Sequence, residues 1–222
     1  MFDRQIHLVR HGETVWNRAR RFQGHTDVPL SDEGVEQARL AASRLRAFPI
    51  AYAYSSDLRR AFETARPIAD AAGVPLEAVY DLREANKGEL EGAYRDPKTG
   101  LIGDDARYHD ENDVDARPPG GESMVDLRER CQRFMAYLQE QEPGLPPGDI
   151  LLTSHGGTLR ALMTVLLDLP IEAGRSFHFD NCSLTSIQFR GSLPPLMTRF
   201  NDTQHLTLSA ANTERSNAAT GE

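Results

Sequence analysis

Two short apolar runs, IHLV at 6–9 and ILLT at 150–153, limit the fold of this chain more than any other feature. A strand wetted on one face alternates polar and apolar residues, whereas a run that is apolar throughout must be covered on both faces. Between and after these runs lie segments with helical periodicity. SDEGVEQARLAASRLRAF (31–48) has Ser31 at the N-cap position, acids in its first turn and Val35, Ala38, Ala41, Ala42 and Leu45 at helical spacing. A second helix is expected from Asp57 to about Ala72, stopping at Gly73, with Pro67 as a candidate kink. Met124, Leu127, Cys131, Phe134 and Leu138 predict a third over 122–141, and GTLRALMTVLLDL (157–169) a fourth. Shorter strands fit AYAYS (51–55) and LEAVYDL (76–82), with terminal strands near 183–189 and 195–200. Strands alternating with helices predict a three-layer α/β fold, a mostly parallel central sheet with helices on both faces.

Composition narrows the partners. With 222 residues and a formal charge of −8, the chain is long enough for a full core and too acidic to favour a nucleic-acid backbone. No apolar run approaches the roughly 20 residues of a membrane span, and the start lacks the apolar stretch of a secretory signal, so a cytoplasmic location is expected. Cys131 and Cys182 are too few and too distant for a stapled scaffold or a zinc pair. The first 25 residues nevertheless carry Arg4, Arg10, Arg18, Arg20 and Arg21 against Asp3 and Glu13, a local excess of positive charge that suits a small anion. The stretch 93–121 is polar and acidic, reading as a lid or insertion in a single domain over 1–208. The tail 209–222 has nothing to bury and reads as disordered.

Both apolar runs end in the same dipeptide, as IHLVRHG at 6–12 and ILLTSHGG at 150–157. In open α/β sheets ligands bind outside the carboxyl ends of the strands. If the two strands are neighbours, His11 and His155 face one crevice, with Gly12 and Gly156 behind them to admit a ligand. The helix starting after His155 would then point free N–H groups at it, favouring an anion.

LVRHGET with WN following, RFQGHTDVPLSDEG, SSDLRRAFETA, LREANKGELEG, PGGES and LLTSHGGTLRAL occur in that order between about 5 and 170. This series resembles the motifs of the histidine phosphatase superfamily, the phosphoglycerate-mutase-like group. The resemblance implies phosphoryl transfer through a phosphohistidine, with no metal and no other cofactor. By motif position it implies His11 as nucleophile, Arg10, Arg60 and His155 as holders of the phosphoryl oxygens, and Glu84 as proton donor. Asn17, Gln23 and Gly24 would line the phosphate pocket. Glu89 and Glu91 lie close enough in sequence to compete with Glu84, and Arg59 sits beside Arg60 at the variable motif position.

These residue types suit the chemistry. A transferring phosphoryl group keeps its charge on its equatorial oxygens, so catalysis is mostly positioning and electrostatic stabilisation. Arginine offers paired planar donors that stay ionised. Histidine, with a reference pKa of about 6.5, is mostly neutral at pH 7 and free to attack. Mutase-type members carry an ERHYG-like segment after the acid, where this chain reads Glu84-Ala85-Asn86-Lys87, so the resemblance points to the phosphatase branch. The expected function is a metal-independent phosphomonoesterase acting on a small phosphorylated metabolite. Sugar phosphates, phosphoserine, phosphoglycerates and the cobalamin nucleotide-loop precursor are all open substrates, and a homodimer is open as well. The alternatives are a cofactor-dependent phosphoglycerate mutase and a non-catalytic phosphate-binding regulatory module. The usual mark of the latter, loss of the nucleophile, an arginine or the acid, is missing here.

Overall fold

The computed structural model describes residues 3–94 and 113–207. Most of the expected lid over 93–121 and the whole tail 209–222 therefore lie outside the described residues. In chain order the elements are β1 (Gln5–Arg10), α1 (Val15–Arg18), α2 (Asp32–Leu45), β2 (Ile50–Ser56), α3 (Arg59–Ala72), β3 (Leu76–Val79), α4 (Met124–Gln141), β4 (Asp149–Ser154), α5 (Gly156–Leu166), β5 (Leu184–Arg190) and β6 (Leu193–Asp202). Short 3-10 turns at Tyr80–Leu82 and Gly88–Leu90 follow β3.

The six strands form one sheet in the order β3-β2-β4-β1-β5-β6. The first four are parallel, β5 runs antiparallel to β1, and β6 pairs antiparallel with β5 at the edge. Alternate residues of the central strands feed opposite helical layers. Ile6, Leu8, Tyr54, Ile150 and Leu152 pack against Leu127, Phe134 and Leu138 of α4 and Leu159 and Leu162 of α5. Val9, Ala53 and Leu151 pack against Ala41 and Leu45 of α2 and Ile68 and Ala69 of α3. The apolar runs are continuous because each residue has a helix above or below it.

The helix ends follow local chemistry. The Ser31 hydroxyl accepts the Gly34 N–H at the start of α2, and Ser123 with Asp126 forms a capping box on α4. Gly73 ends α3 at φ +68°, a left-handed conformation glycine adopts without penalty, and the helix runs through Pro67. One expectation fails within α2. Its buried stripe is Gly34, Ala38, Ala41, Ala42 and Leu45, and Val35, one residue off that stripe, is 57% exposed. Cys131 and Cys182 are buried and free. Among the described residues no helix is long and apolar enough to cross a membrane.

Candidate active site

The parallel pairing of β1 with β4 places Arg10 opposite Ser154, and the His11 N–H extends the ladder to the Ser154 carbonyl at 2.9 Å. His11 and His155 therefore leave the same sheet edge side by side, their ring centroids 5.1 Å apart. A Cβ on Gly12 would lie 2.5 Å from the Gly34 carbonyl oxygen, so glycine is what lets the chain turn against the first turn of α2. His11 Nδ1 donates to the Gly12 carbonyl at 2.6 Å, which fixes the tautomer and leaves the lone pair on Nε2. His155 Nε2 pairs with Ser56 Oγ at 2.8 Å, and its Nδ1 is buried without a hydrogen bond. Burial, then the charges of Arg60 and Arg10, holds the His11 imidazole well below its ordinary pKa. Burial, then Arg60, His11 and Arg10, does the same to His155. Both rings are neutral at neutral pH.

The adjacent arginines of α3 separate cleanly. Arg59 is exposed and pairs with Glu63 at 2.7 Å. Arg60 is fully buried, donating from Nη1 to the Thr26 carbonyl at 2.9 Å and from Nη2 to the Gly24 carbonyl at 2.8 Å. Each terminal nitrogen keeps a second hydrogen for an incoming anion. Burial lowers the Arg60 pKa to about 10, partly offset by Glu84, Asp27 and Glu91, so the guanidinium stays charged at neutral pH. Arg10 donates from Nη1 to the Phe179 carbonyl at 2.6 Å. Gly24 sits at φ +51°, and a Cβ there would lie 2.1 Å from Glu91 Oε1. Gln23 is buried, and its Oε1 has no hydrogen-bond partner. Asn17 closes the capping box of α1, its Oδ1 accepting the Thr14 N–H at 3.0 Å.

Glu84 differs most from expectation. The Glu84 carboxylate occupies two N–H groups of the α5 N-terminus, those of Gly157 and Thr158. Oε2 accepts the Gly157 N–H at 3.1 Å, and Oε1 accepts those of Thr158 at 3.2 Å and Ala85 at 2.9 Å. Burial pushes the Glu84 carboxyl up, but these N–H groups and the charges of Lys87 and Arg60 outweigh it, leaving the pKa below the usual carboxylate range. The Glu84 carboxyl is thus ionised at neutral pH. Gly157 is required for this contact, since a Cβ would come 2.4 Å from Glu84 Oε1, whereas a Cβ on Gly156 would meet only the Arg10 side chain at an ordinary 3.6 Å. The competing acids are placed elsewhere. Glu89 is exposed, and Glu91 is committed to the Gln23–Thr26 turn, accepting the His25 and Thr26 N–H groups at 2.7 Å each.

Sequence reasoning missed several supports. Thr64 accepts the Gly12 N–H at 3.0 Å and donates to the Arg60 carbonyl at 2.7 Å. Asn181 Nδ2 donates to the His11 carbonyl at 2.9 Å, and the Cys182 N–H reaches the Arg10 carbonyl at 3.0 Å. Ser56 and Thr64 lie within SSDLRRAFETA and were legible as neighbours of Arg60, while Asn181 follows every motif and carried no signal. Among the described residues no three His, Cys, Asp or Glu side chains are grouped to hold a metal ion.

The family model of the histidine phosphatase superfamily (branch 1) matches residues 6–203. The chain belongs to this superfamily. Its relatives include "Probable phosphoglycerate mutase GpmB" of Yersinia pestis (strain Pestoides F), 40% identical over 214 residues, 93% of this chain and 96% of that protein. Among solved structures, a native mycobacterial glucosyl-3-phosphoglycerate phosphatase aligns with a TM-score of 0.78 at 30% identity, covering 91% of this chain and all of the other (100%). The alpha-ribazole phosphatase of Shigella flexneri aligns with a TM-score of 0.78 at 28% identity, covering 89% and 96%. This histidine phosphatase is thus an enzyme of the phosphatase and phosphoglycerate-mutase-like kind, built on an α/β sheet shared with those neighbours.

Proposed function

We propose that this enzyme is a metal-independent phosphomonoesterase that hydrolyses a small phosphorylated metabolite through a phosphohistidine on His11. The observation that carries the reading is a neutral imidazole whose Nδ1 is tied to the Gly12 carbonyl, beside the buried, charged Arg60. His11 Nε2 attacks phosphorus and the ester P–O bond breaks. The departing alkoxide takes a proton from Glu84. Water then attacks the phosphohistidine, its proton goes to the Glu84 carboxylate, and inorganic phosphate leaves with His11 restored. Arg10, Arg60 and His155 hold the phosphoryl oxygens, with Asn17, Gln23 and Gly24 shaping the pocket wall.

Glu84 enters this cycle protonated, although its neighbours hold its pKa below the usual carboxylate range. The doubly charged ester supplies the difference, since a like charge nearby raises a carboxyl pKa. Two structural neighbours are phosphatases, which supports hydrolysis. A second reading, transfer between positions of a phosphoglycerate, is favoured by the mutase name of the 40%-identical relatives.

Hydrolysis of p-nitrophenyl phosphate with chelator present, by the wild type and His11→Ala, tests the mechanism. Activity that survives chelation and falls at least 10³-fold in the variant is the expected result. Loss on chelation, or a variant near the wild-type rate, would overturn it. Incubation with 3-phosphoglycerate then separates the readings: release of inorganic phosphate supports the esterase, and formation of 2-phosphoglycerate the mutase.

A further inference from the structure

The PGGES motif at 119–123 has no part in the chemistry above, yet its glutamate reaches the segment that carries Glu84. That segment, 81–86, begins in the last turn of Tyr80–Leu82 and continues as neither helix nor strand. Buried backbone acceptors outside regular structure need other donors, and here side chains supply them. Arg130 of α4 is 1% exposed and spends all five of its guanidinium hydrogens. Nη1 donates to the carbonyls of Asp81 at 2.8 Å and Arg83 at 2.7 Å. Nη2 donates to the Glu84 carbonyl at 3.0 Å and to Glu122 Oε2 at 2.8 Å, and Nε to Glu122 Oε1 at 3.0 Å. Glu122 closes the clamp, because Oε2 accepts the Asn86 N–H at 2.9 Å and its own N–H donates to the Asn86 carbonyl at 2.9 Å. Ser154 Oγ donates to the Leu82 carbonyl at 2.7 Å, and His25 Nε2 adds a second donor to the Glu84 carbonyl at 2.9 Å.

We propose that Arg130 and Glu122, assisted by His25, are positioning residues for the proton donor, fixing the Glu84 backbone so that its carboxyl meets the leaving oxygen. This rests on the assignment of Glu84 as that donor. The clamp is rigid because a planar guanidinium reads five acceptor atoms on four residues at once, which a lysine ammonium cannot do. The bridge is also long-range in sequence, joining the loop after β3 to α4 through the residues just before that helix.

The test compares kcat/KM for an alkyl phosphate, whose leaving group needs the proton, with that for p-nitrophenyl phosphate, whose leaving group does not. Full-length Glu122→Gln, Arg130→Lys and His25→Gln are measured beside Glu84→Gln and the Glu84→Gln/Glu122→Gln double variant. Glu122→Gln keeps the side-chain shape but turns one acceptor into a donor facing Arg130 or Asn86, so it carries the test if Arg130→Lys does not fold. The expected result is a drop of at least tenfold in the alkyl-to-aryl ratio for Glu122→Gln, less than threefold change on the aryl ester, and no further drop in ratio in the double variant. Equal losses on both esters, or additive losses in the double variant, would overturn the inference. A Glu84→Gln variant with an unchanged ratio would instead remove the acid assignment, and the positioning role with it.

Discussion

At the scale of single residues, the crevice works by keeping two imidazoles uncharged beside two guanidinium groups. Burial is the first cause and the arginine charges the second for both His11 and His155. In the unfolded chain each ring takes up a proton as pH falls through about 6.5, whereas in the folded protein neither does until well below that value. Their contribution to stability is therefore fully present above about pH 6.5 and drains as pH falls, by at most about 1.4 kcal/mol for each ring at one pH unit below it. Urea unfolding at pH 7.5 and 5.5 should show lower stability at pH 5.5 for the wild type, with these two rings supplying at most about 3 kcal/mol of the drop, and a smaller drop for His11→Asn. An equal drop in both proteins would contradict the assignment. Glu84 works in a lower window, because its depressed pKa gives stability that is lost only as pH falls below the ordinary carboxylate range. Motif position singled out Glu84 over Glu89 and Glu91, and the structure adds that Glu91 is committed to the Gln23–Thr26 turn.

At the scale of elements, the site is made by termini: the ends of β1 and β4, the first turn of α3 and the start of α5. The α5 N-terminus is where expectation and structure part, since its Gly157 and Thr158 N–H groups donate to the Glu84 carboxylate. That difference is testable with two neighbouring glycines. Gly157→Ala puts a Cβ 2.4 Å from Glu84 Oε1 and must push the carboxylate off the helix, so turnover of an alkyl phosphate should fall at least tenfold. Gly156→Ala meets only ordinary contact at 3.6 Å and should leave the thermal midpoint within about 2 °C of the wild type, read by calorimetry. A turnover in Gly157→Ala equal to the wild type would mean the acid does not act from this helix end. Val35 shows the limit of periodicity at this scale. An apolar residue one position off the stripe satisfies a loose helical pattern, and only the placement of α3 and the sheet decides which side of α2 is covered.

At the scale of the whole molecule, stability and chemistry share the sheet centre. The β1 strand is paired on both sides, by β4 and β5, and β4 lies between β2 and β1, while β3 and β6 form the edges. Hydrogen exchange should therefore find the slowest amides in β1 and β4, opening only with global unfolding, and far faster exchange in β6, where Leu193, Leu196, Met197 and Phe200 are exposed. Comparable protection in β6 would indicate that a partner covers that edge. Truncation tests the two-layer core, since Leu8→Ala and Leu45→Ala remove fully covered side chains from opposite faces of the sheet. Each should cost about 2–5 kcal/mol in chemical denaturation, without selective loss on either class of ester.

The sequence by itself determined the alternation of strands and helices, the sheet edge that carries the site, and the pair His11 and His155. Those features follow from local rules, because a run apolar on both faces must be buried and a ligand meets a parallel sheet at its carboxyl end. Tertiary structure alone decided that the Glu84 carboxylate rests on α5, that Glu91 is tied up elsewhere, and that Arg130 and Glu122 clamp the loop bearing Glu84. These depend on distances between segments dozens of residues apart. Such distances are fixed by how the helical layers pack on the sheet, and no local spacing encodes them.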